Sequence, residues 1–412
     1  MFPRPALRRI ARVAALGAAL AATALLAACS GTAAPTASAT GPLVIGTSLP
    51  MTGPVADVSK SGYQGYELWA EQTNAAGGLL GRQVKLKVLD NGFNPEQVTT
   101  DYTRLIAQDH AELLLGTFSS LLNAPASAVA ERQRMLYVQP SGGAQSLFDR
   151  GFRYFFFAQP GTSANLPDNF VAYIESLPAS QRPKTAAYVT QDDPSAAPAI
   201  AAFQKKFEAL GISTMYSQTY DPGTTAFDSI AASVAHAQPE MIVQGAVADD
   251  GAQFVRSLQK LDYNPRFLFQ TNAPTDEKYP EAIGSANTQA IFTGASWNAQ
   301  AEYPGNAEFV AAYTKKYGAA PTEDAANSYT AGQVLAAAVK AVGSLDQTAL
   351  ADWLHAHSVD TIVGPLKWDT KGDPEGSLLL SQWQDGTLQI VAPADAATSK
   401  TIAYPKPAWS TK

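Results

Sequence analysis

The 412-residue chain has a single cysteine, four histidines and a charged content of only 16%. One thiol cannot close an internal disulfide. The histidines (His110, His236, His355 and His357) show no H-E-x-x-H spacing, and no second cysteine is there to complete a zinc set. His355 and His357 stand two apart at a helix end, which suits solvation or a dipole contact better than metal ligation. The chain also lacks a G-x-S-x-G elbow, a Walker phosphate loop and a G-x-G-x-x-G turn. No cofactor and no metal are expected. The paired acids Asp192-Asp193 and Asp249-Asp250 fall at strand-to-helix junctions, where the helix dipole alone accounts for them. A secreted α/β enzyme using a carboxylate stays open only as the weaker alternative.

Apolar runs long enough to span a bilayer are absent too. The longest, 13–28, has 16 residues with Gly17 and Thr23 inside it, which is short for a span. Arg4, Arg8, Arg9 and Arg12 precede it, so residues 1–28 read as a signal peptide. It ends in Leu26-Ala-Ala-Cys29, which resembles the bacterial lipoprotein cleavage box, where the cysteine becomes a lipid-carrying N-terminus. The alternative is an ordinary cleaved signal with an incidental thiol. Residues 29–42 are small and polar, as a flexible tether would be. Removing residues 1–28 takes away four arginines and no acids, leaving 25 basic against 36 acidic residues, a net charge of −11. No basic face remains to neutralise phosphates, so nucleic acid is not an expected partner.

What the chain does have is a repeating alternation of short apolar runs and helical periods. Strands are expected at 43–49, 84–89, 111–115 and 135–138, with helices at 59–76 and from Asn94-Pro95-Glu96 onward. An aromatic run at 153–160 leads out of this first set. The alternation then restarts with strands at 185–190, 212–220, 241–243 and 267–269. Between them the spacing predicts helices over 195–210, from Phe227 onward and over 249–261. Further helices are expected at 306–317, 324–342 and 347–355, and a strand at 290–297. Strands at 377–383 and 387–391 flank Asp385-Gly386, a hairpin signal. This βαβα order implies parallel sheets covered by helices, in two similar halves with a cleft between them.

One turn organises the rest. Gly116-Thr-Phe-Ser-Ser120 follows an apolar strand and precedes a helix expected over 124–134, with Pro125 near its start. Such a turn offers hydroxyls and free N–H groups where the helix dipole favours an anion. Ser119 and Ser120 either cap that helix or form half of a small-molecule site.

Several stretches occur together, in order, over residues 43–412. They are Leu49-Pro-Met-Thr-Gly-Pro-Val-Ala56, Asn74-Ala-Ala-Gly-Gly78, Asp90, Gly116-Thr-Phe-Ser-Ser120, Pro222-Gly-Thr-Thr-Ala-Phe227 and Gly364-Pro-Leu-Lys-Trp-Asp-Thr-Lys-Gly-Asp373. The set resembles the leucine/isoleucine/valine-binding protein family of type I periplasmic binding proteins. The resemblance implies an α/β fold of two Rossmann-like lobes joined by a three-segment hinge. It places lobe 1 at 43–160 plus 298–376 and lobe 2 at 161–297 plus 377–412. It also implies a monomeric extracytoplasmic receptor that hands an amino acid or similar carboxylate to ABC permease subunits in the membrane. A sensing receptor of the same fold is the alternative.

In such relatives the serine loop after the third strand holds the α-carboxylate of the ligand. Ser120 matches that serine and Phe118 the apolar residue beside it. The next loop reads Pro140-Ser141-Gly142-Gly143, with Gly143 where a threonine hydroxyl is expected. Val58 stands where an aromatic is usual after the first strand. In lobe 2, Ser195 and Val247 align with aromatics, and Thr271 with the acid that pairs with the amino group. Asp324 aligns with a tyrosine and either replaces the missing acid or caps the helix that starts there. The implied mechanism is hinge closure, in which a ligand touching both lobes favours the closed state.

Overall fold

The computed structural model describes residues 41–193, 196–246, 248–276 and 278–410. The expected signal peptide, Cys29 and most of the tether lie outside the described residues. The chain divides into Met1–Pro42 and Leu43–Lys412. Every strand among the described residues lies in the second unit.

Its first sheet is built from β1 (Leu43–Leu49), β2 (Val84–Asp90), β3 (Leu113–Leu115), β4 (Tyr137–Gln139) and β5 (Phe155–Phe157). The order is β2-β1-β3-β4-β5, parallel throughout. Between these strands run α1 (Ala56–Ala75), α2 (Pro95–Ala107) and α3 (Ser119–Arg132), with the short α4 (Gln145–Phe148) after β4. Both faces of the sheet are covered. Leu113 and Leu115 point into a core with Tyr66, Trp69, Val334 and Leu335, while Leu114 joins Val98, Tyr102, Leu122 and Tyr137 on the opposite side. That is why the strands read as continuous apolar runs and not as alternating ones.

The chain continues through α5 (Asp168–Ser176), β6 (Thr185–Gln191), α6 (Ala196–Ala209), β7 (Ser213–Tyr220), α7 (Phe227–Ala237) and β8 (Met241–Gly245). It then forms α8 (Ala248–Lys260), β9 (Phe267–Gln270), α9 (Tyr279–Ile283) and β10 (Ile291–Ala295). Next come α10 (Asn306–Tyr317), α11 (Glu323–Val342) and α12 (Gln347–Ala356), followed by the small hairpin β11 (Val359–Thr361) and β12 (Gly364–Leu366). The last strands are β13 (Leu379–Gln384) and β14 (Thr387–Ala392). The second sheet has the order β14-β13-β10-β9-β8-β6-β7. Strands β10 through β7 are parallel, and β13 and β14 add an antiparallel edge. Its parallel part, read from β7, repeats the 2-1-3-4-5 order of the first sheet. Asp385 and Gly386, both with positive φ (+49° and +79°), turn the expected hairpin.

Three expectations change. The helix after the serine turn starts at Ser119, five residues earlier than expected, and Pro125 lies inside it. Leu122, Ala126 and Val129 bury into the core, and that packing outweighs the hydrogen bond a proline removes. The penultimate long helix starts at Glu323, and its cap is Thr322, whose hydroxyl accepts from Ala325 N–H. Asp324 is therefore not the capping residue. Finally α5 and the β11–β12 hairpin were not expected; both are short.

Helices α1 and α11 pack so closely that a methyl group on Gly65 would lie 2.0 Å from the carbonyl oxygen of Ala325. Alanine would gain about 1 kcal/mol in helix propensity, but forcing two helix backbones apart costs about 1–3 kcal/mol or more. Gly65→Ala should therefore lower the melting temperature in calorimetry. An unchanged or higher melting temperature would mean that the helices can separate freely.

Candidate functional site

In an open parallel sheet of order 2-1-3-4-5, the loops leaving β1 and β3 diverge to opposite faces, and a crevice opens at the carboxyl ends of those two strands. The serine turn lies there. Leu115 ends β3, Phe118 precedes α3 in extended conformation without a capping side chain, and Ser119 opens the helix. Ser119 has φ +67°, in the left-handed region, a strain of about 1–3 kcal/mol for a non-glycine residue. Its hydroxyl is buried without a hydrogen-bond partner among the described residues.

The backbone behind the turn is held by buried side chains. The Gly116 carbonyl accepts from the Thr47 hydroxyl at 2.9 Å and the Tyr66 hydroxyl at 3.0 Å. The Leu115 carbonyl accepts from Tyr102 at 2.7 Å. Burial pushes the Tyr102 phenol up to about 12 and raises those of Tyr66 and Tyr137 as well, so all three stay neutral donors. The β1–α1 loop is tied down by Asp90, which accepts from Met51 N–H, Thr52 N–H, Gly92 N–H and the Thr52 hydroxyl. Burial opposes ionisation there, yet those bonds hold its carboxyl below the usual range. Asp90 thus fixes the loop that leads to Val58.

The β4–α4 loop packs directly on the serine turn. Gly142 has φ +98°, and a Cβ there would sit 2.5 Å from Ser120 N. Ala144 N–H donates to the Ser120 hydroxyl at 3.2 Å, and Ser119 N–H reaches the Ser141 hydroxyl at 3.4 Å. The Gly143 carbonyl accepts from both Ser163 N–H (2.9 Å) and the Ser163 hydroxyl (2.8 Å) on the segment leaving the first sheet.

One cavity gathers Val58, Phe118, Ser141 and Asp324, together with Leu49 and Ser328. Val58 is 39% exposed on its rim. Among the described residues no side chain pairs with the Asp324 carboxylate. Desolvation, with Glu323 next to it, raises its pKa to about 7. Glu323 is turned the other way, accepting from Ser296 N–H at 2.6 Å and from the Ser296 hydroxyl.

Ser119, Ser120, Gly142, Gly143 and Thr271 are not among the residues that line this cavity. Thr271 follows β9 in the second sheet; its hydroxyl donates to the Ala246 carbonyl and accepts from Ala246 N–H, so it clips two loop backbones together. Ser195 and Val247 lie outside the described residues. In the same sheet Asp250 does more than face a helix dipole. It accepts from the Tyr220 hydroxyl (3.1 Å) and Gln191 Nε2 (3.2 Å), and burial raises its pKa. Residue patterns could not single out Asn123 or the three buried tyrosines, because in sequence they are ordinary helix and strand positions.

A family model described as periplasmic binding protein matches residues 42–387. A Leu/Ile/Val-binding protein homolog from Brucella suis is 28% identical over 389 residues, covering 90% of this chain and 96% of that protein. The branched-chain amino acid transporter substrate binding protein LivJ from Streptococcus pneumoniae, solved with isoleucine, superposes with a TM-score of 0.73 at 19% identity, covering 85% of this chain and all of that one. A solute binding protein of an ABC transporter from R. palustris, solved with benzoate, gives 0.73 at 22% identity over 88% of this chain and 99% of that one. The chain therefore belongs to the periplasmic binding protein family, whose members are extracytoplasmic solute-binding proteins and not enzymes.

Proposed function

We propose that this protein is the receptor of an ABC importer, anchored through lipid on Cys29, and that it captures an amino acid or a similar small carboxylate. Lobe 1 would comprise 43–160 plus 298–376, and lobe 2 would comprise 161–297 plus 377–412. The ligand would lie between them. The observation that carries this reading is the serine turn at the β1/β3 crevice, whose Thr117 and Phe118 line one cavity with the unpaired Asp324. A carboxylate would take the N–H groups at the start of α3 and the Ser120 proton. Ala144 N–H already occupies a lone pair of that hydroxyl, which leaves its proton for an acceptor. An ammonium group would take Asp324. The lipid anchor rests on the Leu26-Ala-Ala-Cys29 box, and the importer assignment on the transporter relatives. A ligand held by both lobes would need about 10⁴-fold preference for the closed state to move a 1:99 equilibrium to 99:1, and a few charge-assisted bonds of about 1.5–3 kcal/mol each supply that.

Isothermal titration with isoleucine and benzoate tests the reading, and a protein that takes neither would contradict it. Ser120→Ala should weaken the carboxylate that binds by at least about tenfold, roughly 1.4 kcal/mol. Unaltered affinity would remove Ser120 from the site.

Asp324→Asn separates the two ligand types. It should abolish isoleucine binding and leave benzoate unaffected if Asp324 holds an ammonium group. Burial raises its carboxyl from 3.8 to about 7, so the fold favours the protonated form. That stability is present below the ordinary value and is lost as pH rises through 7. The melting temperature of Asp324→Asn relative to wild type should therefore climb between about pH 4 and pH 7 and level off above, in scans across that range. A difference independent of pH would show that the carboxylate is solvated.

A further inference from the structure

Asn123 lies in the second turn of α3 and is fully buried. Its Nδ2 donates to the carbonyl oxygens of Thr117 (2.9 Å), Ser119 (2.8 Å) and Ser141 (2.6 Å). Its Oδ1 accepts from Thr117 N–H at 3.2 Å and from the Tyr137 hydroxyl at 2.6 Å. The orientation of the amide is not interchangeable. Carbonyls only accept and a backbone N–H only donates, so a flipped amide would lose every one of these backbone bonds.

The consequence is one of sign. A strand-to-helix turn carries as many C=O as N–H groups. A carboxylate is attracted only if the carbonyl dipoles point elsewhere. Here the carbonyls of Thr117 and Ser119, from the loop after β3, and that of Ser141, from the loop after β4, all converge on one buried side chain. In the first helical turn Ser119 N–H goes to the Ser141 hydroxyl, and the N–H groups that follow it have no intrahelical partner.

We infer that Asn123 is the positioning residue that sets the polarity of this site: by drawing three carbonyl oxygens of two loops onto one buried amide, it leaves N–H and hydroxyl groups facing the crevice and so selects a ligand carboxylate over the corresponding neutral amide. The inference rests on the carboxylate reading proposed above. Asn123 itself touches no ligand; it acts through the backbone of Thr117, Ser119 and Ser141.

The test uses the full chain and Asn123→Asp, which keeps shape and the Oδ1 acceptor but turns the donor into an acceptor facing three carbonyls. Tyr137→Phe is the milder companion. It removes only the hydroxyl that donates to Oδ1 and accepts from Thr117 N–H at 3.3 Å, and it keeps the ring packed on Tyr102 and Phe155. Two quantities are read. One is amide hydrogen exchange in peptides covering 117–123 and 140–144 against the rest of the chain. The other is the affinity ratio of benzoate to benzamide and of isoleucine to isoleucinamide. Asn123→Asp should speed exchange in those two loops alone and cut the carboxylate preference at least about tenfold, the worth of one hydrogen bond to a charged group. Tyr137→Phe should move both in the same direction by less. Unchanged exchange in the loops, faster exchange throughout the chain, or an intact carboxylate preference on loosened loops would each overturn the inference. Wild-type protein that takes up none of the four probes would overturn the carboxylate reading itself, and this inference with it.

Discussion

A buried peptide group must find a hydrogen-bond partner, and at the carboxyl end of a parallel sheet the ladder that supplied one has stopped. In the first sheet that deficit is met from behind. Thr47, Tyr66, Tyr102 and Asn123 take the carbonyls of residues 115–117 and 119. These donors are neutral and fully buried, so they have no competing water. The carbonyls are thus drawn into the core, together with the N–H groups of Gly116 and Thr117, which donate to the Val138 carbonyl and to Asn123 Oδ1. The electrostatic character of the crevice is in that sense a by-product of satisfying the core.

The same deficit arises in the second sheet, whose parallel strands repeat the order of the first. It is met differently there. Thr271 clips Ala246 from β8 to β9, Gln270 donates to the Gly251 carbonyl, and Asp250 gathers Tyr220 and Gln191. One sheet keeps hydroxyls and amides at its strand ends, while the other keeps an acid with a raised pKa. Two copies of one topology meet the same deficit with different side chains at equivalent edges.

The chain passes between the sheets after β5, after β10 and before β13. Each passage is bonded to a residue near the candidate site. Ser163 holds the Gly143 carbonyl, Ser296 is held by Glu323 beside Asp324, and Gln145, which accepts from Thr162, donates to Asp373. A charge arriving at Asp324 or a group docking on the Ser141–Gly143 loop would therefore act on elements already joined to the connecting segments.

How much was legible in the sequence depends on which interactions are local. β1 and α10 have the bounds expected of them, and Asn94 caps α2 as its sequence indicates, because periodicity, caps and glycine stops act within a few residues. The serine turn, Val58, Ser141 and Asp324 were legible as candidates, and one cavity gathers Phe118 of that turn with Val58, Ser141 and Asp324. The start of α3 was not legible, since Pro125 signals a helix start locally while the burial of Leu122 and Ala126 is a tertiary fact. Nor was Asn123, whose five contacts come from two separate loops and a strand. By itself the sequence determined most of the elements, the two-sheet α/β class and the candidate turn at a strand end, because these follow from hydrophobic period and turn chemistry. Only the tertiary structure decided which way the backbone dipoles face at that place, because each carbonyl turns toward whichever buried donor the fold brings within reach.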